Sequence, residues 1–200
     1  HSAETPRLDQ YIAQLDIIDG HAAEGLATIR AIGETVRANG REDTGVSCYR
    51  DVAMLAMRAM DFREASVGLA EGLRYAESVE QTFCGHFLQS SEALISWAAG
   101  SWDEALRQGG QALSDPGSGA AHAMAQWALG YVSASRGRRA EAEEHLLPAA
   151  AFGRHAERLD LLLPAQWGLA EAALHAGDPA GAAMLCDWAL WLGPKSGEWT

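Results

Sequence analysis

The chain has 200 residues, 48% of them hydrophobic, and a formal net charge of −12. It can fill a sizeable core, and it lacks the clustered Lys and Arg on which phosphate binding rests, which excludes direct nucleic-acid contact by this segment. No apolar run approaches the roughly 20 residues needed to cross a bilayer, and no secretory pattern opens the chain, His1-Ser2-Ala3 reading as the scar of an expression tag. Cys48, Cys84 and Cys186 are odd in number and widely spaced, which fits reduced thiols in a cytoplasm better than a disulfide framework.

Taken in order, residues 6–40 form a first helical hairpin. Thr5-Pro6 supplies a cap and a first helical position, after which Leu8, Ile12 and Leu15 recur at helical spacing. Beyond Gly20, a second helix turns Leu26, Ile29, Gly33 and Val36 inward and stops at Asn39-Gly40. Residues 41–45 read as a polar turn. A second hairpin, 46–79, has Val52, Met54, Leu55 and Met57 in its first helix, apolar on more than one side. Met60 stands where other hairpins have Gly, so that joint is expected to differ.

The third hairpin, 82–113, carries Phe87, Leu88, Leu94, Ile95 and Trp97. Its second helix holds Gly109-Gly110, each costing about 1 kcal/mol relative to Ala, which predicts an early end or a close contact. Residues 114–119 are the clearest loop. In the fourth hairpin, 120–155, Trp127, Leu129, Gly130 and Tyr131 precede a joint at Gly137, and Pro148 is expected to kink or end the following helix. The fifth, 161–192, tolerates Pro164 in its first turn and closes on a helix from Pro179 to about Leu192, whose end is crowded by Trp188, Trp191 and Leu192. A repeat array normally ends on a polar face, so this patch is expected to pack on a further unit or to self-associate.

The strings IDGHAAEGL, RAMDFREAS, AAGSWDEAL, SRGRRAEAE and HAGDPAGAA align Gly20, Met60, Gly100, Gly137 and Gly177 at steps of 40, 40, 37 and 40 residues. Each marks a joint between two helices: a residue in the left-handed conformation closes one helix and a polar cap opens the next. Ser101 with Glu104, and Asp61 with Glu64, have capping-box spacing, and Pro179 follows Asp178 at a first helical position. The reading is all-α, a right-handed α-α superhelix of about five hairpins, with residues 1–200 as one domain.

This unit resembles the tetratricopeptide repeat, whose first helix carries W-x-x-L-G-x-x-Y. Leu129-Gly130 fits the L-G pair and Leu169-Ala170 nearly does, while Trp127 and Trp167 fall one place late and Tyr131 misses its site. The strings GLRYAESVEQTFCGHFLQSSEALISWAAGSWDEAL, AHAMAQWALGYVSASRGR and LDLLLPAQWGLAEAALHAGD are similar to the helical-repeat region of large bacterial LuxR-type regulators. That resemblance implies an ATPase module before the repeats, a DNA-binding helix-turn-helix after them, and repeats that sense a ligand or partner in the cytoplasm.

Reactive constellations are missing. The segment has no G-x-x-x-x-G-K-[ST]. Cys84 and His86 lack a second ligand pair at zinc-like spacing, and His145 and His155 have no H-E-x-x-H context. No base is predicted beside any cysteine. The expectation is a non-catalytic module without cofactor or metal. The tetratricopeptide resemblance would turn Arg50, Met54 and Arg58, then Phe87, Leu94 and Trp97, toward a concave groove. Farther along it would turn Trp127 and Tyr131, then Trp167, Glu171 and His175. Trp127 and Trp167 share a column and would form an aromatic shelf for an apolar ligand, with inter-helix packing as the alternative. Arg50 and Arg58 lie on one face and would receive a carboxylate or phosphate. The function expected is ligand or protein sensing for a transcriptional regulator, the alternative being a general scaffold for a peptide or helix.

Overall fold

Residues 5–196 are described by a computed structural model as ten helices, with no strand among the described residues. In order they are α1 (Thr5–Ile18), α2 (Ala22–Ala38), α3 (Glu42–Arg58), α4 (Phe62–Ser78) and α5 (Thr82–Ala98). They continue as α6 (Trp102–Ser114), α7 (Gly119–Ser135), α8 (Arg139–His155), α9 (Leu159–His175) and α10 (Pro179–Ser196). His1-Ser2-Ala3 and the side chains of Thr5, Leu192 and Lys195 lie outside the described residues.

A single device repeats between the helices. Gly20, Gly40, Met60, Glu80, Gly100, Gly137, Glu157 and Gly177 all have φ between 54° and 95°. At each of them the next residue donates its N–H to a carbonyl five residues back, as Arg41 does to Val36 and Ser101 to Ser96, both at 2.9 Å. This is the paired closure that satisfies the last free carbonyls of a helix. The elementary step is therefore 20 residues, a helix plus its joint, and the interval of 40 counts every second one. Met60 does not alter its joint, as its residue type suggested. It adopts φ 60° and keeps the closing bonds.

Several local expectations are corrected. α3 begins at Glu42, so 41–45 is not a turn: Gly45 is buried, and a Cβ there would meet the Tyr75 ring at 2.8 Å. Ser101 makes no side-chain cap bond, whereas Asp61 accepts from Glu64 N–H at 3.0 Å. Ser118 and Asp178 cap α7 and α10 in the same way. α6 runs through both glycines, and Gly109 is the close contact, 2.9 Å from Leu129 once a Cβ is built. α8 passes through Pro148 without ending. The proline is exposed there, while Leu146, Ala149 and Ala150 are 0–3% exposed and hold the helix through the missing bond. α9 starts at Leu159, which places Pro164 past its first turn.

The chain divides into two compact units, 1–91 and 92–200. In the first, α1 to α4 pack in succession around Ile29, Val36, Val46, Val52 and Leu69. In the second, α7 packs on α6, α8 and α9, and α9 on α8 and α10, around Met124, Val132, Leu146 and Leu161. α1 departs from the simple pattern. Its buried residues are Gln10, Ala13 and Ile17, whereas Leu8, Ile12 and Leu15 are 60%, 49% and 59% exposed.

Candidate partner-binding surface

In the first unit, the first helices of successive hairpins bring polar groups together around Asp51, which is 7% exposed. Gln10 and Gln14 donate from Nε2 to Asp51 Oδ2 at 2.6 and 2.5 Å. Arg50 donates to Oδ1 from Nε at 3.0 Å and from Nη2 at 2.8 Å. The Arg50 guanidinium also lies over the Phe87 ring, 5.8 Å from its centroid, and its Nη2 reaches Ser47 Oγ at 3.2 Å. A buried carboxylate is tolerated only when it is paired and hydrogen-bonded, and these donors meet that condition. The carboxylate expected from a ligand at Arg50 is thus supplied by Asp51 of the chain itself. Arg58 is exposed in the last turn of α3, Met54 is half-buried, and Phe87 is buried at 7%. Burial pushes the Cys48 thiol up to about 12 and raises that of Cys84, so neither is a ready nucleophile.

Beside α3, the Arg37 guanidinium lies 5.2 Å from the Tyr75 ring centroid. Arg37, Tyr49, Glu71, Arg74 and Tyr75 line a polar recess of about 390 Å³. Glu71 is already paired with Arg30, which also holds Glu64.

In the second unit, three aromatic rings from α5, α7 and α9 meet. Tyr131 lies between Trp97 at 5.0 Å and Trp167 at 4.8 Å, the two tryptophans being 5.9 Å apart. Edge-to-face ring pairs of this kind add about 0.5–1.5 kcal/mol beyond their burial. Tyr131 is 7% exposed and donates its hydroxyl to Pro164 O at 2.8 Å. Burial raises its pKa, so the ring is a fixed neutral wedge. Trp97 donates from Nε1 to Ser135 Oγ at 3.4 Å. Trp167, backed by both rings, keeps 41% of its surface exposed. One turn further along α9, Glu171 Oε2 lies 3.8 Å from Nε2 of His175. Nδ1 of His175 is 2.8 Å from Ala134 O, which makes Nδ1 the protonated nitrogen and leaves Nε2 facing the carboxylate.

The paired shelf of Trp127 and Trp167 does not form. Trp127 is 5% exposed and its Nε1 has no partner. The two share a column, but α9 packs on α7, and Trp167 on α9 stays 41% exposed. The exposed tryptophan is paired instead with Trp97 and Tyr131, whose columns differ from its own and from each other. Leu94 is half-buried. Sequence reasoning missed Gln10, Gln14 and Asp51, because polar residues at an apolar period read as solvated. The signal available in the sequence was Asp51 beside Val52, in a helix otherwise apolar on more than one side.

No group of three or more His, Cys, Asp or Glu among the described residues is placed to hold a metal ion, and no helix among them is long and apolar enough to cross a membrane. No family model matches the sequence, and no curated protein matches it. The fold does have solved relatives. A crystal structure of a candidate kinesin light chain from Podospora anserina, with nearly identical tetratricopeptide-like repeats, is similar over 98% of this chain and 98% of its own, with TM-score 0.58 and 17% identity. A single-substitution variant of that protein gives TM-score 0.58 at 18% identity over 98% of this chain and 99% of that one. The fold is all-α and tetratricopeptide-like.

Proposed function

We propose that the chain is a non-catalytic binding module that holds an extended peptide of a partner protein against the first helices of its second unit. The observation that carries this reading is Trp167: a large ring, fixed by Trp97 and Tyr131, that leaves 41% of its surface in water. An exposed rigid aromatic offers contact area at low entropic cost and is the residue type that dominates binding energies. Glu171, one turn away, supplies an anionic neighbour, and the net charge of −12 favours approach by a basic segment. The ligand class is therefore a peptide with an apolar anchor side chain next to Lys or Arg.

The finer assignment, a cytoplasmic effector-sensing segment of a LuxR-type bacterial regulator, is supported by the strings quoted above. In that setting an occupied surface transmits a signal only through different affinities for two states of the array. The experiment is selection of peptides from a display library on the purified chain, followed by calorimetric titration. Trp167→Ala lowers the affinity of selected peptides tenfold or more, while Met184→Glu on α10, 70% exposed and outside the recess beside Trp167, leaves it unchanged. Equal affinity of wild type and Trp167→Ala overturns the reading.

A further inference from the structure

The internal hairpins provide a template for both ends of the array. The steps of 40, 40, 37 and 40 residues place Leu8 of α1 in register with Cys48, Leu88, Ala125 and Ala165, each of them 0% exposed. Tyr11 corresponds to Asp51, Ser91, Ala128 and Gly168, all buried. Leu15 corresponds to Leu55, Val132 and Ala172, which are 8%, 0% and 1% exposed, and to Ile95, which is half-buried. In α1 itself, Leu8, Tyr11 and Leu15 are 60%, 58% and 59% exposed. α1 thus presents to solvent the columns that later hairpins bury.

α10 shows the complementary pattern. Cys186 is in register with Ile29, Leu69, Gly109 and Leu146, all buried, yet it is itself exposed. Leu190 corresponds to Gly33 and Ala150, which are buried, and to Leu73 and Leu113, which are half-buried, and is itself 68% exposed. Beside them, between α9 and α10, Gln166, Trp167, Cys186 and Leu190 line a recess of about 290 Å³. Oε1 of Gln166 is buried without a partner.

Contacts inside the chain say which columns meet. A Cβ on Gly33 would lie 3.0 Å from Cys48 Cβ, which joins the Leu190 column to the Leu8 column. A Cβ on Gly168 would lie 2.9 Å from Leu146, which joins the Tyr11 column to the Cys186 column. Gly109 against Leu129, at 2.9 Å, joins the Cys186 column to that of Ile12. The sizes are reciprocal. Inside the chain a large Leu146 faces Gly168, and at the ends the small Cys186 corresponds to the first and the large Tyr11 to the second.

We propose that copies of this chain associate head to tail, the stripe of Leu8, Tyr11, Ile12 and Leu15 on α1 of one copy seated in the α9–α10 recess of another. The interface repeats, between chains, the packing of α3 on α2 and of α9 on α8 inside the chain. Because the two faces differ, the contact is heterologous and does not close on itself in a two-fold dimer. Trp188 and Trp191 are not its centre. The register of Trp188 holds Ala31, Gln111 and Pro148, all exposed, and Glu71, half-buried, and that of Trp191 holds Glu34, Arg74, Ser114 and Ala151, all exposed, so the self-association assigned to those tryptophans moves to Cys186 and Leu190.

The test is sedimentation and light scattering of the whole chain at rising concentration, with Tyr11→Glu, Leu190→Glu and their mixture. Wild type gains mass beyond a dimer. Each variant alone is a monomer with native circular dichroism, and the equimolar mixture forms a one-to-one dimer and nothing larger, since each variant keeps one intact face. If Glu at either site reduces helicity, Tyr11→Ser and Leu190→Ser replace it. Tyr11→Cys adds a direct readout, an oxidative cross-link to Cys186 of another copy, the remaining thiols Cys48 and Cys84 being buried. A wild type that stays monomeric at every concentration overturns the proposal. Dimerisation by Tyr11→Glu alone overturns it in favour of a two-fold contact.

Discussion

Replacing Met60 with glycine should stabilise the protein, although it removes a side chain. Met60 holds φ 60° and is 72% exposed, so its side chain contributes little burial while its Cβ crowds the following carbonyl. The left-handed conformation costs a residue with a Cβ about 1–2 kcal/mol. Glycine removes that cost but gives the unfolded chain more freedom, an offset of about 0.4–1 kcal/mol. The net expectation is a gain of about 0.5–1 kcal/mol, or about 1–4 °C in Tm at this chain length. The closing bonds, Met60 N–H to Met57 O at 3.0 Å and Asp61 N–H to Ala56 O at 2.9 Å, are unaffected. The mirror variant is Gly137→Ala. Gly137 has φ 70°, and a Cβ there would meet nothing within 4 Å, so its expected loss of about 1 kcal/mol is conformational and not steric. Urea unfolding followed by circular dichroism measures both midpoints. A loss of stability in Met60→Gly, or a neutral Gly137→Ala, refutes the claim that backbone handedness at these joints sets the architecture.

The remaining expectations are checked on the same preparations. Asp61→Ala should cost about 1 kcal/mol through loss of a cap, whereas Ser101→Ala should stay within about 0.5 kcal/mol, because Ser101 makes no cap bond. Trp127→Ala should cost about 3–5 kcal/mol as a buried large-to-small change, and Trp167→Ala clearly less, since its ring is only partly covered; equal losses in denaturant midpoint would return Trp167 to the core. Burial holds the His145 imidazole below its ordinary value of 6.5, so the unfolded chain takes up that proton first. The stability it contributes is fully present above 6.5 and is lost as pH falls through the lowered folded value. Tm measured against pH should therefore decline less steeply on the acid side in His145→Gln, and an unchanged slope would contradict this.

The architecture was legible because the joints are written in backbone chemistry. Glycine where φ must be positive, and Asp or Ser three residues before a free N–H, are local requirements that show without knowledge of the partners. Glu80 and Glu157 hid two of the eight joints, since a left-handed glutamate leaves no compositional trace. The surface was less legible for a physical reason. Whether a residue on a first helix is covered depends on the hairpin beside it, and that neighbour is remote in sequence. Trp127 and Trp167 have the same local context and different fates for this reason, as do Leu8 and Leu88. Arg50 read as a free cation because Asp51, next to it in the chain, would face away on an isolated helix. The glutamines of α1 draw the pair into one buried network.

Hydrogen–deuterium exchange of the chain with and without a selected peptide tests the binding account most directly. The account predicts added protection in the first helices around Trp97, Tyr131 and Trp167 and through Glu171 to His175, with α8 unchanged. Protection confined to the second helices, or to the polar recess at Arg37 and Arg74, would contradict it.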